Sequence, residues 1–312
     1  MGKILDGGDP QEDGSMNRVG RQRQLTGVLA EVDADDLRRA LLNDPDAALG
    51  RARAAAFLSG GDGGGAFLTA TPAFRRNRMT DERFKQALVL RLGVPLLPAP
   101  LPCERCGKTM DVFGGHAWRC SKMRGNGNTR HKAVNDEVFH ITREAGLPAH
   151  HEAPYDAHFE AKPGKAKKLE HRADVLITGL AGKKVIDTTV RHPVDALGAA
   201  HEQRGLAARK GEEDKVSFIS SRYVIPTASI IPFAVETYGT LGDKAKDFLR
   251  HCAEARAGGD EKMIPLIEHG YRARVAVAVQ KGNGVSLDVW RAKCCYKPPV
   301  GGGVPGAAGG GG

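Results

Sequence analysis

"HRADVLITGLAGKKVIDTTV", residues 171–190, decides the fold. Two runs rich in Val, Ile and Thr, "ADVLITG" and "KKVIDTTV", flank a turn bracketed by Gly179 and Gly182, which predicts a β-hairpin. Each run is apolar except for one acid, Asp174 in the first and Asp187 in the second. A buried strand excludes a lone carboxylate, because desolvating one without a partner is costly. With the turn centred on Leu180 and Ala181, Asp174 falls opposite Asp187 on one face, with Cβ atoms about 5 Å apart. A slip of one residue would send the two acids to opposite faces. Facing carboxylates repel unless a cation sits between them or one keeps its proton, so either Asp→Asn change is expected to relieve repulsion. Oxygen donors of this kind suit a hard divalent ion, Mg²⁺ or Mn²⁺. The plainer alternative is a pair of solvated acids on a hairpin edge.

Helices and further strands surround the hairpin. "HKAVNDEVFHITREAG" at 131–146 carries Val134, Val138, Ile141 and Ala145 on one stripe and ends at Gly146, the pattern of an amphipathic helix. A strand follows around 149–159, then the basic loop "KPGKAKK" at 162–168. Beyond the hairpin, 194–215 reads as helix, "VSFISSRYVIP" and "SIIPFAVETYG" as two strands, and 241–257 and 260–296 as helices. Residues 131–257 thus read α-β-β-β-α-β-β-α, an α/β core with a small mixed sheet flanked by helices. Upstream, 34–58 reads as helix with Leu37, Leu41 and Leu42 on one face. Residues 80–93 form a helix capped by Thr80, with Phe84, Leu88 and Leu92 as its stripe. The resulting organisation is a helical or disordered N-terminal extension with a Gly-rich linker (1–65), a helical connector (66–102), a metal knuckle (103–124), the α/β core (125–257), a C-terminal helical extension (258–297) and a Gly-rich tail (298–312).

The knuckle is "CERCGKTMDVFGGHAWRC", in which Cys103, Cys106, His116 and Cys120 have the spacing C-x2-C-x9-H-x3-C. Two thiolates from one tight turn and a His–Cys pair on one helical turn make a closed tetrahedral set, which points to structural Zn²⁺. The chain has no apolar N-terminal h-region and no 18-residue apolar run, so the expectation is a reducing nuclear or cytoplasmic compartment and no membrane partner. Cys294 and Cys295 are adjacent and read as ordinary thiols. A net charge of +9 favours a polyanionic partner. After the knuckle, "SKMRGNGNTRH" places Lys122, Arg124, Arg130, His131 and Lys132 in a basic segment suited to phosphate contact or, equally, to solvation.

The order of these features resembles the restriction-like endonuclease domain of early-branching, site-specific non-LTR retrotransposon polyproteins, which belongs to the PD-(D/E)XK nuclease superfamily. The carrying residues are the Cys-Cys-His-Cys knuckle, Arg130-His131 opening a helix, Glu152 in "HEAP", "RAD" at 172–174, "VIDTTV" at 185–190, and "PFAVETYG". The likeness spans about residues 66–250, and the polymerase of those polyproteins is not expected here. It implies a restriction-endonuclease-like fold and a Mg²⁺- or Mn²⁺-dependent enzyme that nicks DNA, with element RNA as a further partner and oligomeric state left open. By the same resemblance, Asp174, Asp187 and the Thr188 carbonyl hold the divalent ion, Glu152 is an upstream acid, His131 meets the scissile phosphate, and Lys210 or Lys215 supplies the catalytic lysine from the helix after the hairpin. Arg124, Arg130, His131 and Lys132 are the expected nucleic-acid contacts. The chain departs from the pattern in Ala173 for Pro, Lys132 for Asn, Ala153 inserted before the Pro, and Thr189 where an in-strand Lys is usual. Those departures keep open a second reading, a decayed nuclease fold that binds nucleic acid without cutting it, or a retroelement remnant without activity.

Overall fold

The computed structural model of the chain describes residues 31–293 except 62, 73, 121, 123–125, 165–170, 180–181 and 195–201. Arg124, the turn residues Leu180 and Ala181, Cys294, Cys295 and the two termini lie outside the described residues. The chain divides into two compact units between Ala54 and Ala55. In the first, the expected single helix is two: α1 over 31–42, then a turn, then α2 (Ala47–Ser59), which runs on into the second unit. Asp46 makes the break, its carboxylate accepting from the Leu49 amide at 3.1 Å as an N-cap.

In the second unit Thr80 caps α3 (Asp81–Arg91) as read, accepting from the Arg83 amide at 3.3 Å. Its buried face differs from the expected stripe. Ala87 and Leu90 are buried, whereas Leu92 is 65% exposed, because Gly93 turns the chain before Leu92 can pack. A two-stranded ribbon follows, β1 (Leu101–Pro102) with β2 (Thr109–Met110), then the short α4 (Gly115–Arg119) and the long α5 (Asn126–Glu144).

The main sheet has the order β3-β4-β5-β6: β3 (Ala149–Pro154), β4 (Arg172–Ile177), β5 (Lys184–Arg191) and β6 (Ile230–Glu236). β3, β4 and β5 are antiparallel neighbours, and β5 pairs parallel with β6 through the crossover helix α6 (Leu206–Ser220). The hairpin register is the one read from the sequence, with Val175 facing Ile186 and Leu176 facing Val185. Beyond that pair the ladder stops, just before the two acids.

Two cores sandwich the sheet. On one face α5, α7 (Asp243–Ala257) and α8 (Ile264–Lys293) bury Val134, Val138, Ile141, Phe248, Val275 and Val279 against Val175, Ile186 and Phe233. On the other, Ile219 of α6 packs with Leu176, Val185, Tyr155 and Tyr223. The expected strand at 216–226 is absent: Val216–Ser220 is the last turn of α6. Ala207, Ala208, Gly211, Glu212 and Ile219 are its buried positions, a period near 3.6 that outweighs the β-prone composition of a short apolar run. α8, read from sequence as an extension, packs along α5, and Arg274 donates to Glu137 at 2.6 Å. No helix among the described residues is long and apolar enough to cross a membrane.

Candidate functional site: a buried acid pair and a cysteine–histidine cluster

The acids sit where the sheet loses its regularity. Ala149 belongs to the α5 side of the sheet and His151 stacks on Phe139 of α5, yet Ala153 and Tyr155 belong to the α6 side. A regular strand would keep 149, 151, 153 and 155 on one face. Glu152 absorbs the change with φ 51, the one non-glycine residue at positive φ among those described, a conformation that costs about 1–2 kcal/mol. β4 turns over at the matching place, with Val175 and Ile177 on the α5 side and Ala173 on the other. Asp174 lies between them and is therefore free of strict alternation.

Both acids are buried, Asp174 at 9% and Asp187 at 6% exposure, which removes the solvated-edge alternative. Because the β4–β5 ladder has ended, the Thr188 amide donates to Asp174 Oδ2 at 2.6 Å, and the Thr188 hydroxyl donates to the same oxygen at 2.6 Å. His131 Nε2 lies 3.0 Å from that oxygen, and Asn135 Nδ2 donates to Oδ1 at 3.4 Å. Asp187 receives the Tyr155 hydroxyl at 3.5 Å on Oδ2 and the Lys215 ammonium on Oδ1. Ligand atoms of His131, Asp174 and Asp187 all lie within 4.8 Å of one another.

The two carboxyls feel opposite forces. Burial raises Asp174, but the His131 bond and charge and the two Thr188 donors hold it below the usual carboxylate range. Burial pushes Asp187 up to about 6, against the pull of Lys215 and with the repulsion of Asp174. His131 loses basicity to burial and regains more from Asp174, so it stays protonated to higher pH than a free imidazole.

The local sequence explains how the side chains arrive. Gly211 lets α6 lie close to β5: a Cβ there would stand 3.0 Å from Thr189 Cγ2 and Arg191 Cγ. Lys215, one turn further along the same helix face, then reaches Asp187. Of the two candidate lysines only Lys215 is at the site. Lys210 is directed to Glu213 at 3.4 Å and Asp214 at 3.5 Å. Glu152 is exposed and its side chain is outside the cluster; only its carbonyl is engaged, by Arg172 at 3.1 Å. Thr188 is engaged at the site through its amide and its hydroxyl, both on Asp174. Asn135 and Tyr155 were not read from the sequence. Asn135 lies one turn from His131 on α5, a spacing that puts both on one face, whereas nothing local marks Tyr155.

The expected phosphate contacts divide. Lys132 is on the surface beside Asp136 at 3.0 Å. Arg130 is 4% exposed, and its guanidinium donates to the Trp118 carbonyl and to Thr237 Oγ1, each at 3.0 Å. As a surface contact Arg130 is therefore corrected: it is an interior tie.

The second cluster brings together Cys103, Cys106, His116 and Cys120 with all ligand atoms within 4.8 Å. Cys103 and Cys120 Sγ atoms are 3.9 Å apart, Cys106 and Cys120 3.7 Å, and Cys106 Sγ is 3.1 Å from His116 Nε2. Four ligands at Zn–S bonds of ~2.3 Å have tetrahedral edges of about 3.8 Å, close to the two sulfur–sulfur separations, so the cluster could bind a metal such as zinc. Gly107, at φ 73, closes the turn that lets the Lys108 carbonyl accept from the Cys103 amide. Burial raises Cys103, yet the backbone amides of Arg105 and Cys106 bring it down to about 6, while burial lifts Cys120 to about 11. The knuckle rests on Leu97, Met110, Leu287 and Trp290, the last two from α8. No protein-family model, curated protein or solved structure matches the chain significantly.

Proposed function

We propose that this chain is a metal-dependent endonuclease of retroelement origin that hydrolyses DNA phosphodiester bonds, nicking a target strand. The observation that carries it is the meeting of two buried carboxylates from adjacent strands with a lysine on one and a histidine on the other. The element order α5-β3-β4-β5-α6-β6 around a four-stranded mixed sheet supports a restriction-endonuclease-like fold, and the sequence resemblance supports the same reading.

The donor set suits the ion. Two carboxylates are oxygen ligands for Mg²⁺ or Mn²⁺, and the desolvation that pushes Asp187 up would be relieved by a cation. Asp174 and Asp187 would hold it, with His131 within reach. Bound there, it would supply Lewis acidity and a water acidified toward neutral pH. The protein's own groups do the rest. Thr188, Asn135 and His131 fix the rotamer of Asp174, and Tyr155 holds Asp187. Lys215 brings a positive charge on a flexible stem to offset charge developing on the phosphate or to orient the water. The knuckle's ion, Zn²⁺, is structural, because four protein ligands leave no open position.

The second reading, a nucleic-acid-binding protein without cleavage, is favoured by one observation, the Glu152 side chain turned out to solvent. Nicking of supercoiled plasmid separates the two. The enzyme reading expects Mg²⁺- or Mn²⁺-dependent open circles from wild type, reduced at least 100-fold in Asp174→Asn and Asp187→Asn. Plasmid binding without nicking, or nicking undiminished in both variants, sinks it.

A further inference from the structure

Every carboxylate oxygen of the acid pair already has a protein donor. Asp174 Oδ2 takes Thr188 and His131, and Oδ1 takes Asn135. Asp187 Oδ2 takes Tyr155, and Oδ1 takes Lys215. These donors differ in how firmly they are fixed. The Thr188 amide is strand backbone. Asn135 is 2% exposed, and Tyr155, 1% exposed, stacks on Tyr223 with centroids 4.7 Å apart. Lys215 alone is a point charge at the end of a four-carbon stem, and its side chain is 25% exposed where that of Asp187 is 8%. No second lysine of α6 takes its place, since Lys210 is held by Glu213 and Asp214.

We propose that in the metal-free protein the Lys215 ammonium stands in for the divalent cation on Asp187, so that an entering ion must displace it. This deepens the nuclease reading and rests on its metal site. The pair Asp174–Asp187 is neutralised from within by Lys215 and His131, so the unloaded fold does not carry two naked buried charges. The same competition weakens the site for cations. Displacement frees the ammonium from Asp187 at the moment the ion is seated, which couples metal entry to release of the group that the reaction uses on the phosphate.

The test uses the full zinc-containing chain and Mn²⁺ alone, without DNA. Free Mn²⁺ is followed by electron paramagnetic resonance for wild type, Lys215→Met and Asp187→Asn; methionine keeps the length and apolar packing of the lysine stem. In parallel, reductive methylation of Lys215 in wild type is quantified by mass spectrometry with and without Mn²⁺, a measurement that needs no variant to fold. The proposal expects Lys215→Met to bind Mn²⁺ at least tenfold more tightly than wild type. It also expects Lys215 labelling to rise severalfold on Mn²⁺ addition, and to be high in Asp187→Asn with no metal. Equal Mn²⁺ affinity in wild type and Lys215→Met, or labelling indifferent to Mn²⁺ in a protein that binds it, overturns the displacement and leaves the metal site standing. Absence of Mn²⁺ binding in both overturns the displacement and the metal-site reading together.

Discussion

At the scale of the residue, the two acids are chemically unlike although they are paired. Asp187 has a folded value of about 6, raised chiefly by burial, above an unfolded value of about 4. The folded state therefore binds more protons between those values. Stability falls as pH rises from about 4 to about 6, and the full cost is present above that. Metal-free Asp187→Asn is expected to be more stable than wild type at pH 7.5, by on the order of 2 kcal/mol, with the gap closing toward pH 4.5. Asp174 has the opposite sign. Its folded value is depressed against the pull of burial by His131 and Thr188, so its charge stabilises above the unfolded value and is lost as pH falls through the folded one. Asp174→Asn is therefore expected to destabilise at pH 7.5, in contrast to the symmetrical relief expected from sequence. Urea denaturation across pH, without added divalent ions, checks both; parallel pH profiles for wild type and Asp187→Asn would mean that this carboxyl titrates as an ordinary one. The facing of Asp174 and Asp187 was legible, because hairpin register follows from turn position and strand period. Tyr155 and Asn135 were not, because their roles depend on how β3 and α5 meet a strand that comes later in the chain.

At the scale of the element, sequence reading succeeded where periodicity was long and failed where it was short. The α5 stripe of Val134, Val138 and Ile141 is fully buried, since a helix of several turns leaves little ambiguity in its apolar face. Val216–Ile219 differs from expectation because a short run with Val, Phe and Ile looks alike in a strand and at the end of a helix, and only the earlier buried positions Ala207, Ala208, Gly211 and Glu212 reveal the period. Arg130 shows a different gap. Its position in a basic segment suggested phosphate contact, yet α5 turns it inward while His131, the next residue, faces Asp174. Arg130→Met would leave the Trp118 carbonyl without its guanidinium donor in the interior and is expected to cost about 2–4 kcal/mol. Because the side chain is not at the surface, the salt dependence of the proposed DNA binding should stay as in wild type, whereas Lys132→Ala should lower the log–log slope by about one. Unfolding midpoints unchanged in Arg130→Met, together with a flattened salt slope, would return that residue to the interface.

At the scale of the whole second unit, the cysteine–histidine cluster, α5 and α8 are tied together by side-chain contacts. Trp118, between His116 and Cys120 of the cluster, donates from its indole to the Asn283 carbonyl of α8 at 3.3 Å and accepts from Arg130 of α5 through its carbonyl. Asn283 in turn donates to the Thr237 carbonyl at the end of β6 at 2.7 Å. Leu287 and Trp290 pack directly on the ligand-bearing segment. None of these long-range ties was legible, because each joins residues far apart in sequence whose local contexts are ordinary. The closeness of Cys103, Cys106, His116 and Cys120 was legible because their spacing is one that lets four side chains reach a common point. If these ties are mechanical, losing the ion must be felt along α8 and at the base of α5, not only in the knuckle. Cys106→Ser removes one thiolate from the closed set, and the purified variant should lose the single Zn²⁺ per chain that elemental analysis is expected to find in wild type. Its melting temperature should drop by more than about 5 °C, since the binding energy of a structural ion adds to folding energy. Amide hydrogen exchange locates the damage. Protection should fall at 103–120 and also in the part of α8 that includes Asn283, Leu287 and Trp290, while the α7 amides, away from the knuckle, keep theirs. Loss confined to 103–120 would show the knuckle to be an independent appendage, and full zinc occupancy in Cys106→Ser would remove that thiol from the site altogether.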